Sequence, residues 1–280
     1  MDYDNKYILV TSAILIPFII FTTILHHIFP EVLQVPDTLG PYLMDNILLD
    51  LVIMDVGGSF VAILVLYHGF KTQGKFKAIC FLYGSIIFTG FEECYWILTG
   101  RISFTPFGTY YFTKGGLWFI EIPLYTCLGW FVLAWGCVFV SQTIFPKRGY
   151  IFHSMVAGGL AVSLDLFLDP VMVNLGSASV FSDSMGMWVW LTEQGMSFSI
   201  FSIPFFNFFG WYLVVVLFAI LYGFVLNDEK IEKRGKTKSA LIFFALIPVF
   251  LGICFGLIYL MSIIILPFLG GVNLIPIGVL

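Results

Sequence analysis

Charge is what this sequence has least of: Asp, Glu, Lys and Arg together make up 11% of its 280 residues. A water-soluble domain needs more than that to stay dispersed. With 60% hydrophobic residues and a mean hydropathy of +1.00, a soluble domain is excluded and the bilayer is the expected solvent. The net charge of −4 offers no basic surface to nucleic acid. Metal and cofactor signatures are missing too. Cys80, Cys94, Cys127, Cys137 and Cys254 have no CxxC spacing and all lie in apolar runs, which reads as packing. His26, His27, His68 and His153 form neither HxxxH nor HExxH. There is no GxGxxG turn, Walker loop or GxSxG elbow. The last apolar run has no lysine for a retinal Schiff base. From the residues no metal site is expected.

Long apolar runs are what the chain has instead. Seven come near the roughly 20 residues that a crossing requires: 7–29, 47–70, 76–99, 117–143, 150–173, 204–226 and 240–267. They predict an all-α fold, a polytopic membrane helical bundle of about seven transmembrane helices forming one integral membrane domain over 1–280. The first run, kinked at Pro17, is expected to be retained as a span, since no small-residue cleavage site follows it. Residues 268–280, broken by Gly270, Gly271 and Pro276, read as a re-entrant or surface tail. No internal repeat is evident. Lys6, Lys71, Lys75, Lys77, Lys147, Arg148, Lys230, Lys233, Arg234, Lys236 and Lys238 fall on one side of the spans, and Arg101 and Lys114 on the other. The N-terminus is therefore expected in the cytoplasm, in a multi-pass protein of the cell membrane. Its partners would be lipids and a lipophilic substrate, with a homo-oligomer as one option for assembly.

The few acids are not scattered. Asp165 and Asp169 interrupt the apolar stretch 161–170, and an intramembrane carboxyl is expensive unless it serves something. Their spacing of four puts both on one helix face, and Pro170 is expected to end or kink the helix behind them. Asp50, Asp55, Glu92, Glu93, Glu121 and Asn207 also fall near the outer ends of their spans, Asp50 reading as interfacial. Polar groups from five helices in the same outer third predict a chamber open toward the outer leaflet. Glu92 and Glu93 point about 100° apart on a helix, so one of them faces the chamber. Glu92, with Trp96 one turn on, is the expected one. The outer segments 102–116 and 174–203, the second with Trp188, Trp190 and Glu193, read as re-entrant or interfacial lids, or as an aromatic belt.

Buried acids in an apolar chamber suit acid–base chemistry. Asp165 or Asp169 would donate a proton. Glu121, at the start of a span where the helix dipole favours an anion, would act as base or cation stabiliser. Hydrogen bonding between protonated acids of neighbouring helices is the purely structural reading. A DxxxD pair could also hold magnesium and a prenyl diphosphate, but only Arg101 and Lys114 lie on that side to bind the phosphates. A proton-coupled transporter would use such acids too, with inverted repeats and a midplane site.

Phe91-Glu92-Glu93, Thr105-Pro106-Phe107-Gly108-Thr109-Tyr110-Tyr111 and Glu121-Ile122-Pro123-Leu124 are followed by Asp165-Leu166-Phe167-Leu168-Asp169-Pro170, Trp188-Val189-Trp190 and Ile203-Pro204-Phe205-Phe206-Asn207-Phe208-Phe209-Gly210-Trp211. Over about residues 80–225, this series resembles the membrane carotenoid hydratase family, of the bisanhydrobacterioruberin hydratase and γ-carotene 1′,2′-hydratase type. The resemblance implies a cofactor-independent hydro-lyase of carotenoid biosynthesis. An acid protonates the terminal C1=C2 double bond of an acyclic end group, and water captures the tertiary cation at C1. On this reading Asp165, Asp169, Glu121 and Glu92 are the catalytic candidates. Glu93, Trp96, Tyr110, Trp188, Trp190, Asn207 and Trp211 would bind the substrate, the aromatic faces stabilising the cation. A membrane carotenoid cyclase would use the same cation, attacked by an internal double bond. Product mass separates the two, since a hydratase adds one water.

Overall fold

In lipid a backbone must satisfy its own hydrogen bonds, so long apolar runs become helices. The structure, a computed structural model, describes residues 6–28, 51–101, 109–112, 115–174, 187–191, 198–201, 203–264 and 272–273. Asp50, Glu193 and most of the 268–280 tail lie outside the described residues. Helix α1, Lys6–Ile28, is unbroken at Pro17. A π-helical segment, Leu51–Val56, leads into α2, Gly57–Thr72. Then come α3, Lys75–Arg101, α4, Leu124–Ile144, and α5, Tyr150–Asn174. After them follow α6, Phe205–Val225, the short α7, Asp228–Arg234, and α8, Lys236–Ile264.

Among the described residues, six helices are long and apolar enough to cross a membrane. The seventh long helix is α3, 27 residues with Glu92 and Glu93 inside it. It tolerates them because it packs against α2, α4, α6 and α8 rather than lying in lipid. The expected helical membrane bundle is therefore the fold, with its most polar helix in the centre. Phe81 of α3 meets Phe218 of α6 and Trp135 of α4 edge to face, with ring centroids 4.9 and 5.1 Å apart. Helix α1 is peripheral and turns Leu9, Ile14 and Phe21 outward. The lysine-bearing helix ends meet at one end of the bundle, where Lys77 pairs with Asp228 at 2.7 Å. There the Tyr222 O–H donates to Gln73 at 2.9 Å. Asp55, Glu92, Glu93, Glu121, Asp165 and Asp169 lie at the opposite end, as expected. Pro170 does not stop α5, which runs on to Asn174. A proline removes one helical hydrogen bond, and groups from neighbouring helices can make that loss good.

At the acid end the connections contain short strands that the sequence did not suggest. Strand β1, Thr109–Phe112, pairs antiparallel with β4, Trp188–Leu191, with Tyr110 opposite Trp190 and Phe112 opposite Trp188. Strands β2, Trp118–Phe119, and β3, Ile122–Pro123, form a tight hairpin. So do β5, Phe198–Ile200, and β6, Ile203–Pro204. Strand β7, Val272–Asn273, adds to β5 in parallel.

The order of these elements is a repeat. Helix α3, strand β1, the β2–β3 hairpin and helix α4 are followed by helix α5, strand β4, the β5–β6 hairpin and helix α6. Each hairpin turns through a non-glycine residue of positive φ, Ile120 at 56° and Phe201 at 53°. Each ends in Ile-Pro, with the proline capping the next helix. The antiparallel β1–β4 ribbon joins the halves. Each half begins with a helix that runs from the lysine-bearing end toward the acids. The expectation that the chain has no internal repeat is thus corrected. The repeat resides in geometry and in two Ile-Pro dipeptides, not in extended sequence similarity.

Candidate active site

Each half of the repeat supplies one clamped acid. On α3, Glu93 accepts the Trp130 indole N–H from α4 at 2.8 Å and the Tyr110 hydroxyl from β1. On α5, Asp169 accepts the Trp188 indole N–H from β4 at 2.7 Å and the Asn207 amide N–H from α6 at 2.7 Å. Strand, helix and acid take corresponding places in the two halves. Burial, then the adjacent Glu93, pushes the Tyr110 phenol well above its ordinary pKa, so it remains a donor.

Both acids face one cavity of about 390 Å³, within the size range of small-molecule sites, about 300–1,000 Å³. Its walls are mainly apolar: Leu133, Leu164, Leu168, Met172 and Met187, with Trp130, Trp188, Trp190 and Trp211. Period-two alternation puts Tyr110 and Phe112 on one face of β1, and Trp188 and Trp190 on one face of β4. All four line the cavity, so the ribbon covers it. The rings pack as Tyr110–Trp190 at 4.6 Å and Phe112–Trp188 at 5.8 Å. The lids expected over 102–116 and 174–203 are, where described, the β1–β4 ribbon over the cavity together with the β5–β6 hairpin that leads into α6.

A second cavity of about 30 Å³ adjoins the first. Glu93, Tyr110, Trp130, Trp190, Asn207 and Trp211 border both. The small one adds Glu92 and Trp96, whose indole N–H donates to Glu92 at 2.7 Å. The expectation that only Glu92 faces the chamber is corrected: Glu93 reaches both cavities and Glu92 the small one. Two hollows on adjoining faces of α3 accommodate side chains about 100° apart.

Asp165 is placed differently from its partner. It is fully buried, at 0% exposure, and lines neither cavity. One of its oxygens accepts from Asn207 at 2.9 Å, and the other has no partner among the described residues. Asn207 thus bridges Asp165 and Asp169. Glu121 departs further from expectation. Because Ile122-Pro123 pairs back onto Trp118–Phe119, α4 starts only at Leu124. Glu121 is left in the hairpin turn, buried but bordering neither cavity. Asp55, from the π segment, accepts the backbone N–H groups of Gly116 and Leu117 at 2.8 and 3.2 Å, tying down the chain ahead of that hairpin.

Trp130 is the site residue that sequence reasoning missed. Its signal was available: a tryptophan deep in an apolar helix needs a partner for its N–H. No lysine, arginine or histidine borders either cavity among the described residues. Glu92, Glu93, Asp165 and Asp169 therefore cannot all be anions in so apolar a volume, and the group holds protons. A mainly apolar cavity with a proton-bearing acid and several aromatic faces can generate and stabilise a carbocation.

Neither the curated proteins nor the solved structures contain a match to this chain. One family profile, described as Carotenoid biosynthesis protein, matches residues 51–277. That range spans the acids, the ribbon, both hairpins and all helices after α1. The chain belongs to the carotenoid biosynthesis protein family.

Proposed function

We propose that this protein is a hydratase of carotenoid biosynthesis, adding water across the terminal C1=C2 double bond of an acyclic carotenoid end group. The observation that carries the reading is Asp169. It is an acid on the wall of a mainly apolar cavity, 2% exposed, braced by two N–H donors. The end group enters the large cavity from lipid. Asp169 gives its proton to C2, and the positive charge develops at C1 among the faces of Trp188, Trp190 and Trp211. The N–H groups of Trp188 and Asn207 receive the carboxylate left behind, so negative charge appears where donors already point. Water then adds to C1 and gives a tertiary alcohol. Asp165 has no access to the cavity, and on this reading it positions Asn207 rather than touching substrate. The protein works in the cell membrane, where its substrate is dissolved.

The test is expression in a host that accumulates an acyclic carotenoid, with pigment analysis by mass. A product heavier by one water is expected, and Asp169→Asn abolishes it. A product of unchanged mass, cyclic by its spectrum, would replace this reading with a cyclase acting through the same cation.

A further inference from the structure

The large cavity accounts for the polyene and the proton but not for the second substrate, water. We propose that the small cavity beside it is the water site, and that Glu92 is the base that receives the proton from that water. This rests on the hydratase reading. The volume of about 30 Å³ is room for about two waters, since one needs roughly 10–15 Å³. Polar partners are present: Glu92, Glu93 and Asn207 all border the hollow. One oxygen of Glu92 accepts from Trp96, and no protein group bonds the other among the described residues. The residues common to the two cavities include Trp130 and Trp211, whose ring centroids lie 4.3 Å apart. Water held behind this wall would reach C1 from the small cavity, which Asp169 does not line and from which Asn207 separates it.

The hollow has an identifiable cause. Gly210 of α6 is buried and borders it. A Cβ added there would meet only the Ile258 Cδ1, at 3.6 Å, an ordinary contact. Other buried glycines of the bundle differ. At Gly84 an added Cβ would come within 2.4 Å of Phe243, and at Gly158 within 2.5 Å of Val216. Close packing requires those two to be glycine. Packing does not require it at Gly210, and the missing side chain is what leaves the space open. The step balances within the site. Water oxygen forms the C–O bond to C1, and one water proton passes to the Glu92 carboxylate. Asp169, which lost its proton to C2, is reprotonated from solvent, and Glu92 releases its proton there, before the next turnover.

Filling the hollow separates hydration from protonation. Gly210→Ala and Gly210→Val place one and three carbons in it, and either residue favours a helix interior at least as well as glycine. Deprived of water, the cation returns a proton to Asp169 from C2 or from a C1 methyl group, giving back substrate or its terminal methylidene isomer. Membranes carrying each variant are incubated in D2O, and the carotenoids are separated by mass. Wild type should yield deuterated alcohol. In Gly210→Val the ratio of alcohol to deuterium-exchanged, unhydrated carotenoid should fall about tenfold or more, a positioned reactant being worth at least that. Gly210→Ala should fall between. Glu92→Gln should lower the same ratio. Because the readout is a ratio, it is insensitive to expression level. A wild-type ratio in Gly210→Val, or parallel loss of exchange and hydration, overturns the water site while leaving the hydratase standing. Absence of alcohol from wild type itself overturns both.

Discussion

Replacing Asn207 with leucine tests whether the acid is braced for the charge it must bear. Its amide N–H groups reach Asp165 at 2.9 Å and Asp169 at 2.7 Å. Leucine has a similar size and removes both bonds. Asp169 is 2% exposed, so water does not readily replace the lost donor. On the proposed mechanism Asp169 gives up its proton, and in this variant one of its two N–H donors is then missing. A hydrogen bond to a charged group contributes about 1.5–3 kcal/mol. With about 1.4 kcal/mol per factor of ten in rate, turnover should fall about 10- to 150-fold. The bond matters most once the carboxylate exists, so the loss should appear in kcat rather than in KM. The assay is alcohol formed per unit of folded protein, in membranes given a range of acyclic carotenoid concentrations. Normalising to folded protein removes the separate cost of leaving Asp165 without its donor. An Asn207→Leu protein within twofold of wild type in kcat, or altered only in KM, would refute the argument that these N–H groups serve the developing charge.

Trp188→Phe leaves a smaller aromatic face and removes the other Asp169 donor, and should lower kcat by at least about 10-fold on the same grounds. Tyr110→Phe unclamps Glu93 without touching Asp169, and comparing the two by single-turnover hydration shows which acid gives up the proton; an equal loss in both would count against Asp169 as sole donor. Gly158→Ala forces a Cβ to within 2.5 Å of Val216 and 3.0 Å of the Tyr212 carbonyl oxygen, so it should loosen the α5–α6 contact by about 1–3 kcal/mol. Gly159→Ala, with nothing within 4 Å, should be neutral or stabilising by up to about 1 kcal/mol; thermal unfolding in detergent distinguishes the pair. Asp55→Ala strands the buried N–H of Gly116 and its neighbour at Leu117, and should cost about 1–3 kcal/mol for the buried group, read as increased proteolysis near residues 115–117.

Much of this architecture could be read from the residues. Apolar length located the helices, the lysines separated the two ends, and the expense of intramembrane acids pointed to Asp169, Glu92 and Glu93 before any coordinates. The aromatic boxes supplied Tyr110, Trp188 and Trp190. What escaped was local. Strands of two to four residues carry too little periodicity to separate from loop, so the ribbon and hairpins were invisible. Glu121 reads as a helix start because it lies near the beginning of the apolar run 117–143. The pairing of Ile122-Pro123 with Trp118–Phe119 is a tertiary event that shortens the helix. The same dipeptide at Ile203-Pro204 was the available clue to the repeat. Whether Asp165 or Asp169 meets the cavity depends on how α5 is rotated against α6, and a spacing of four cannot decide that.

Pseudosymmetry of this kind would make the two halves interchangeable if their acids were alike, and they are not. Glu93 reaches one methylene further than Asp169 and is held by a phenol and an indole, whereas Asp169 is held by an indole and an amide. On the hydratase proposal Asp169 gives up the proton and Glu93 does not, so the two walls differ in role as they differ in reach and in donors. Divergence at a handful of side chains, on two halves of the same element order, is enough to make the cavity's two walls chemically unlike.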